Sequence, residues 1–170
     1  MSKKVDWGEV LDLFHEITSQ LIQKQLTITT MESCTGGLIG TLLSDQAGAS
    51  SVVPGGFFTY SNEAKERAGV PGDVIREHGV YSLQTAGQMA KTCRDYYKTD
   101  IGIGVTGTLG TIDPNNTDSE PGEVYVAISF DNEYYQEQLS WPGQLKDRWT
   151  YRMMIAYQVA CMLSDVVPKL

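Results

Sequence analysis

The stretch from residue 26 to residue 43 constrains the fold of this chain more than any other. Residues 26–30 read Leu-Thr-Ile-Thr-Thr, a run rich in β-branched side chains that predicts a β-strand. A turn with adjacent glycines follows at Gly36 and Gly37, and apolar residues then recur at helical spacing. A strand that leads through a tight turn into a helix is a unit of α/β folds, in which helices cover a sheet of parallel strands.

Helical spacing recurs on both sides of this unit. The predicted helices cover residues 6–24, with Asp6 as the N-cap, residues 62–68, a short segment ending near His78, and two amphipathic segments that begin after Ser82 and near Gln144. Their predicted buried faces carry Ala86, Ala90, Cys93 and Tyr97 in the first amphipathic helix, and Trp149, Met153, Ala156, Ala160 and Leu163 in the second.

The other strands are predicted at residues 52–60, 101–105, 124–130 and 133–139. The first of them is broken or bulged at Pro54, and the last two form a hairpin around Asp131 and Asn132. Residues 111–122 lack an apolar period and predict an exposed loop. This order predicts one α/β domain over residues 1–170. Its sheet is mostly parallel, with helices on both faces and an antiparallel hairpin near the C-terminal end.

Composition excludes several classes of function. The formal net charge of −8 argues against nucleic acid and anionic membranes as partners. No stretch approaches the roughly 18 apolar residues of a membrane span, and the first residues lack the apolar region of a signal peptide. Three cysteines without a CxxC pair predict no disulfide framework and a reducing cytoplasmic location. Two isolated histidines predict neither a metal site nor a Ser-His-Asp mechanism.

The turn after the first strand is the first candidate site, because ligands of such sheets lie at the carboxyl ends of strands. Ser33, Cys34 and Thr35 offer two hydroxyls and a thiol as nucleophiles. Gly36 and Gly37 let the backbone approach a ligand, and N–H groups at the helix start favour an anion or a developing oxyanion. From the local pattern alone, a simple helix cap with a glycine turn is equally consistent.

Two further loops leave strand ends. Tyr60 and Lys65 follow the second strand, where a buried lysine with a lowered pKa can act as a base, although a solvated surface lysine is the commoner situation. Thr106 and Gly107 follow the third strand and either line a pocket or form a plain connection. On the last helix Arg148 either meets an anion, together with Arg152 four residues on, or lies at the surface.

Taken together, these segments resemble one family. The motifs are Glu32-Ser33-Cys34-Thr35-Gly36-Gly37, Tyr60-Ser61-Asn62-Glu63-Ala64-Lys65, Gly79-Val80-Tyr81-Ser82, Val105-Thr106-Gly107, and Asp147-Arg148 with Arg152. They resemble, in order, the C-terminal domain of the competence/damage-inducible protein CinA, whose stand-alone members are nicotinamide-nucleotide amidohydrolases. The resemblance covers about residues 8–165. It implies a three-layer α/β/α fold with a five-stranded mixed sheet, and hydrolysis of nicotinamide mononucleotide to nicotinic acid mononucleotide and ammonia without a cofactor.

Under this resemblance Ser33 is the expected nucleophile and Lys65 the expected base, with Tyr60 relaying a proton or donating to the leaving ammonia. Cys34 remains an alternative nucleophile. The backbone around Thr35, Gly36 and Gly37 is expected to stabilise the oxyanion. Thr106, Gly107 and Arg148 are expected to contact the nucleotide, with the arginine on its phosphate. Aromatic residues near the hairpin, Tyr134, Tyr135 and Trp141, suggest a homo-oligomer, although such side chains also cover cores.

The third loop departs from the family. Members usually continue as Gly-Ile-Ala-Gly-Pro, a glycine-rich run and a Lys-Pro-Val-Gly turn, whereas this chain reads Gly-Thr-Leu-Gly-Thr from Gly107 and has Pro121 near that turn. The stretch is acidic through Asp113, Asp118, Glu120 and Glu123, which disfavours a nearby phosphate. Two alternatives therefore stand beside the first reading. One is hydrolysis of another small amide, and the other is a catalytically silent module for nucleotide binding or protein interaction.

Overall fold

A computed structural model describes residues 5–141, 145 and 147–170. The strands in these residues are β1 (Ile28–Glu32), β2 (Gly56–Phe58), β3 (Ile101–Gly107), β4 (Glu123–Phe130) and β5 (Glu133–Ser140). The α-helices are α1 (Trp7–Lys24), α2 (Leu38–Ser44), α3 (Asn62–Arg67), α4 (Gly72–His78), α5 (Leu83–Tyr97) and α6 (Arg148–Val166).

The five strands form one mixed sheet in the order β2-β1-β3-β4-β5. β1 lies between β2 and β3 and pairs in parallel with both. β4 pairs antiparallel with β3, and β5 pairs antiparallel with β4. Helices cover both faces, so the predicted α/β/α sheet with an antiparallel C-terminal hairpin is confirmed. Because β1, β2 and β3 run in one direction, their carboxyl ends meet at a single edge of the sheet.

The two faces of the sheet bury different sets of residues. α1, α2 and α6 cover one face with a large apolar core that includes Phe14, Leu42 and Ile155. α5 covers the other face, with α4 beside it. On that side β3 carries Gly102 and Gly104, where an added Cβ would lie 2.1 Å from the carbonyl oxygens of Ala90 and Ala86 respectively. The glycines therefore let α5 approach the sheet more closely than any side chain would permit.

Helix caps agree with the sequence. Asp6 accepts a hydrogen bond from the Gly8 N–H at the start of α1. Ser82 accepts one from the Thr85 N–H at the start of α5. On the predicted face of α5, Ala86, Ala90 and Cys93 are buried, whereas Tyr97 is half-buried and contacts Phe57.

The first two strands differ in extent from the prediction. β1 begins at Ile28 rather than at residue 26, because the Thr27 N–H donates to the Asp100 carboxylate (2.8 Å). β2 is reduced to Gly56–Phe58, and Ala49–Ser51 forms a 3-10 helix immediately before the region that the sequence assigns to the strand. Pro54 has no N–H to donate, which limits the ladder to the residues beyond it.

The last helix is described from Arg148 onward, and its predicted start near Gln144 lies outside the described residues. Met153, Ala156, Ala160 and Leu163 are buried as predicted. Trp149 is not, since 52% of its surface is exposed and its ring packs against Trp7. Nowhere in the described part of the chain does a helix combine the length and the apolarity that crossing a membrane requires.

Candidate active site

The carboxyl ends of β1, β2 and β3 border a cavity of about 500 Å³. Its walls come from the turn after β1, the segment from Tyr60 to Glu63, the loop between β3 and β4, and the first turn of α6. The three loops that the sequence singles out therefore meet at one site. The cavity is lined by Ser33, Cys34, Tyr60, Tyr81, Gly107, Asp113, Asn116 and Arg148, among others.

Ser33 on the cavity wall and Lys65 behind it form a buried pair. The Lys65 Nζ lies 3.2 Å from the Ser33 Oγ and donates a hydrogen bond of 2.9 Å to the Thr59 carbonyl. Ser33 is 5% exposed and Lys65 is 1% exposed. Lys65 lies on α3, whose N-cap is Ser61, four residues before the lysine. The Ser61 hydroxyl accepts a hydrogen bond from the Ala64 N–H and so fixes where the helix begins. Lys65 is thus a buried neighbour of the serine and not a solvated surface residue.

Burial changes the protonation of this lysine. Loss of hydration lowers the pKa of Lys65 from 10.5 to about 8, although the nearby Cys34 and Asp113 act in the opposite direction. Among the described residues, no carboxylate lies within 4 Å of its ammonium group. A neutral Lys65 is therefore accessible near neutral pH. Its lone pair can accept the Ser33 proton while its N–H holds the Thr59 carbonyl.

Cys34 has the opposite character. It is 3% exposed and packs with the apolar core beneath α2 and α6. Burial raises the pKa of its thiol to about 12. Because the thiolate is the reactive form of cysteine, this residue is a poor nucleophile at neutral pH. Of the two candidate nucleophiles, the geometry favours Ser33.

Glu32 organises the turn that carries Ser33. This fully buried carboxylate accepts hydrogen bonds from the Thr35 hydroxyl (2.6 Å), the Ile39 N–H (3.0 Å) and the Gly40 N–H (2.7 Å). It also accepts from the Thr30 hydroxyl (3.0 Å). The sequence analysis assigns no role to Glu32. A charged residue at the end of a buried strand could have indicated one, because a buried carboxylate needs hydrogen-bond donors.

Gly36 closes the turn and is covered by a side chain from α6. The Gly36 N–H donates to the Ser33 carbonyl (3.0 Å), so it closes the turn itself and is occupied. Gly36 has a φ of +67°, and an added Cβ would lie 3.1 Å from the guanidinium of Arg152. Arg152 in turn donates from Nε to the Cys34 carbonyl (3.1 Å). None of Thr35, Gly36 and Gly37 is among the residues that line the cavity, so their backbone N–H groups as oxyanion donors stay a prediction.

Tyr60 and Arg148 meet at the mouth of the cavity. The Arg148 Nη2 donates to the Tyr60 hydroxyl (3.0 Å), and 58% of Tyr60 is exposed. Within the described ranges, the Tyr60 hydroxyl has no hydrogen bond to Ser33 or Lys65. The structure therefore places the two residues where an incoming ligand enters, with Tyr60 apart from the serine–lysine pair.

Thr106 and Gly107, at the end of β3, have different surroundings. Thr106 is fully buried, and its hydroxyl donates to the Val80 carbonyl (3.1 Å), which ties the strand to the segment before α5. Gly107 lines the cavity. Of the two, Gly107 has the position expected of a ligand contact.

The loop between β3 and β4 folds back over the cavity. The Asp113 carboxylate accepts from the Tyr81 hydroxyl (2.6 Å) and from the Asn116 amide (2.7 Å). Asn116 also accepts from the side-chain amide of Asn62 (2.8 Å), which begins α3. Residues 111–122 are largely exposed as predicted, yet these bonds attach the loop to the site. The sequence analysis names Asn62 and Tyr81 only as members of motifs and does not name Asn116, because their hydrogen-bond partners are 54 and 32 positions away.

The described residues contain no group of three or more histidine, cysteine, aspartate or glutamate side chains arranged to hold a metal ion. The cavity wall offers hydroxyls, side-chain amides, the carboxylates of Asp113 and Glu63 and the guanidinium of Arg148, and the buried Lys65 amine lies behind Ser33. Fold and site together define an α/β/α domain with a serine–lysine pair at the carboxyl edge of its parallel strands.

Comparison with known proteins gives this domain its family. Residues 11–167 match the model of the CinA C-terminal domain, and the chain belongs to that family. A CinA-like protein of Desulfovibrio desulfuricans is 40% identical over 140 residues, which cover 81% of this chain and 32% of the relative. A CinA-like protein of Gemmatimonas aurantiaca is 35% identical over 155 residues, or 91% of this chain and 34% of the relative. The chain spans about a third of the length of these curated relatives.

Solved structures show the same architecture. The competence/damage-inducible protein CihA of Agrobacterium tumefaciens is 29% identical, with a TM-score of 0.83 and coverage of 97% of this chain and 98% of the other. A CinA superfamily protein of Klebsiella pneumoniae is 21% identical with a TM-score of 0.85, covering 95% and 99% of the two chains, and supports the fold alone.

Proposed function

We propose that this protein hydrolyses the carboxamide of nicotinamide mononucleotide to nicotinic acid mononucleotide and ammonia. The observation that carries the proposal is the buried contact of 3.2 Å between the Lys65 Nζ and the Ser33 Oγ. A serine hydroxyl needs a neighbouring base to become a nucleophile, and a desolvated lysine is one of the groups that serve. The membership of the chain in the CinA C-terminal domain family agrees with this reading.

The reaction begins when the Ser33 Oγ attacks the carboxamide carbon and its proton passes to the neutral Lys65 Nζ. The carbonyl oxygen takes up negative charge, which the N–H groups of Thr35 and Gly37 stabilise. The tetrahedral intermediate collapses, the C–N bond breaks, and the leaving nitrogen receives a proton from the Lys65 ammonium or through Tyr60. Ammonia departs and leaves an ester on Ser33.

Water completes the cycle. It attacks the ester carbon while Lys65 again accepts a proton, the bond to Ser33 breaks, and the proton returns to the serine. The carboxylic acid that forms loses its proton to solvent and leaves as a carboxylate, and the enzyme regains its starting state. Arg148 lies at the cavity mouth, where a guanidinium can hold the phosphate of the substrate by paired hydrogen bonds.

Ammonia release from nicotinamide mononucleotide tests the proposal. Wild-type protein is expected to release ammonia, Ser33→Ala to release none above background, and Cys34→Ala to retain most of the rate. The two variants are matched because they alter adjacent residues of one turn. If only the Cys34 variant loses turnover, the nucleophile is the Cys34 thiol and not the Ser33 hydroxyl.

The acidic loop favours a second candidate, which is hydrolysis of a different small amide by the same steps. Asp113 lies on the cavity wall, and a carboxylate there disfavours a phosphate beside it. No ammonia from the nucleotide and no binding of it would support this candidate. Tight binding without release would instead support the catalytically silent nucleotide-binding module.

The same proposal includes a homo-oligomer. Tyr134 and Tyr135 on β5 are 43% and 38% exposed and offer aromatic surface for a second copy, whereas Trp141 packs against the core beside Tyr151. Light scattering of the purified chain measures the mass. A monomer at micromolar concentration would contradict this part of the proposal.

A further inference from the structure

Asp113 is a fixed carboxylate on the wall of the cavity. Its loop is anchored from two sides, by the Asn62–Asn116 contact at the start of α3 and by the Thr108 hydroxyl, which donates to the Glu120 carbonyl (2.6 Å). Tyr81 approaches from the segment before α5 and donates to the carboxylate. The group is therefore held in place before any ligand arrives.

The donors that hold Asp113 are all neutral. They are the Tyr81 hydroxyl, the Asn116 amide and the Asn115 N–H, which lies 2.9 Å from Oδ1. Although burial raises the pKa of Asp113, these hydrogen bonds and, to a lesser degree, the positive charge of Lys65 keep it below its ordinary value. In the part of the chain that the structure describes, no lysine, arginine or histidine nitrogen lies within 4 Å of this carboxylate. The hydrogen bonds stabilise its negative charge without cancelling it.

The cavity carries a positive charge on a different element. Arg148 begins α6 and reaches the cavity mouth, where it donates a hydrogen bond to the neutral Tyr60 hydroxyl. The other carboxylate on the wall, Glu63, is paired with Arg67 at 2.6 Å and is largely exposed. The cavity wall thus presents an anionic group, Asp113, and a cationic group, Arg148, and neither forms an ion pair within 4 Å with a described residue.

From this arrangement we infer that Asp113 determines specificity by receiving a cationic group of the substrate, while Arg148 receives its anionic group. The site then selects amides that carry both charges over those that carry only the anion. The inference rests on the proposed function, because nicotinamide mononucleotide has a pyridinium cation next to the reacting carboxamide and a phosphate at its far end. In this arrangement the Asp113 carboxylate lies beside the pyridinium ring and the phosphate lies at Arg148. An acidic loop is therefore compatible with a substrate that carries a phosphate.

A pair of ligands that differ in ring charge isolates this interaction. Nicotinamide mononucleotide and its reduced form share the carboxamide, ribose and phosphate, but the reduced ring is neutral. Calorimetric titration of the Ser33→Ala protein measures binding of both without hydrolysis. Adding Asp113→Asn is expected to weaken binding of the cationic form about tenfold and that of the reduced form less than about twofold.

Two further variants control for structural effects. Asp113→Glu retains the charge and is expected to restore most of the preference for the cationic ring. Glu63→Gln removes a carboxylate from the same wall that already has an arginine partner, and is expected to leave the preference unchanged. If Asp113→Asn weakens both ligands equally, the carboxylate only anchors the loop and the inference is overturned.

Ammonia release by the unmodified protein separates this inference from the proposed function. Release from nicotinamide mononucleotide combined with equal weakening of both ligands overturns the inference and leaves the proposed function standing. Binding with the charge preference but without release supports the inference and removes the hydrolytic activity. Absence of both binding and release overturns the two together.

Discussion

Lys65 must lose a proton before it can accept one from Ser33, so the pH dependence of the reaction reports on its burial. Its pKa of about 8 means that roughly a tenth of the side chain is neutral at pH 7 and half at pH 8. The deprotonated form is the active one. We therefore expect kcat/KM for ammonia release to rise about tenfold from pH 6 to pH 7 and to level off above pH 9.

The Asp113→Asn variant is the control for this profile. The charge of Asp113 raises the pKa of Lys65, so its removal is expected to shift the midpoint to lower pH. A rate that is constant between pH 6 and pH 9, or that falls as pH rises, would show that Lys65 does not act as the base.

Glu32 is a second charged residue on which the geometry of the site depends. Its four donors include two backbone N–H groups of α2. A glutamine at this position presents an N–H₂ group toward buried donors. Glu32→Gln is therefore expected to destabilise the fold by about 3 kcal/mol and to lower kcat by displacing Ser33. Urea denaturation and steady-state kinetics measure the two effects.

Thr30→Val is the matched control, because it removes one donor to the same carboxylate and leaves the other three. We expect it to cost about 1 kcal/mol and to change kcat little. Equal losses of stability in the two variants would show that the carboxylate is not the organising group of the turn.

At the scale of elements, the contact between α5 and β3 depends on the absence of side chains. A Cβ at Gly104 would lie 2.1 Å from the Ala86 carbonyl oxygen and 2.7 Å from the Ala90 nitrogen, and both are backbone atoms that cannot rotate away. Gly104→Ala must therefore push the helix off the sheet. We expect a loss of about 3 kcal/mol in the free energy of unfolding, measured by urea denaturation.

Gly40 offers the contrast within a helix. A Cβ there would lie 3.4 Å from the Glu32 and Thr30 side-chain oxygens, which is close to ordinary contact. Gly40→Ala is expected to be neutral or to stabilise α2 by up to about 1 kcal/mol, because alanine has the higher helix propensity. A Gly104→Ala protein as stable as the wild type would mean that the layers are not in the close contact seen here.

At the scale of the whole molecule, local patterns predicted the α/β class, the caps at Asp6 and Ser82, and the C-terminal hairpin, because each depends on neighbours in sequence. They overestimated β2, where Pro54 precedes a ladder of only three residues. The family resemblance contributed Ser33 and Lys65 as a pair. The hydrogen-bond partners of Glu32 and Asp113 could not be predicted from the sequence, because the folded chain supplies the donors that orient each carboxylate.

Arg152 shows how the end of the chain completes a turn near its beginning. Its Nε donates to the Cys34 carbonyl from 118 residues away, and its guanidinium lies over Gly36. Arg152→Met removes this donor while retaining a long apolar side chain. Because the turn beside Ser33 then loses its outer support, kcat is expected to fall about tenfold or more, with KM changed less than about threefold.

The same helix provides the control. Gln158 donates to the Glu137 carboxylate on β5 (3.0 Å), which is a comparable polar link from α6 to the sheet but does not border the cavity. Gln158→Met is expected to leave kcat unchanged and to cost no more stability than Arg152→Met. If Arg152→Met lowers stability and leaves kcat intact, Arg152 joins α6 to the core without positioning Ser33. A selective loss of kcat instead shows that Arg152 on α6 positions the turn that carries Ser33.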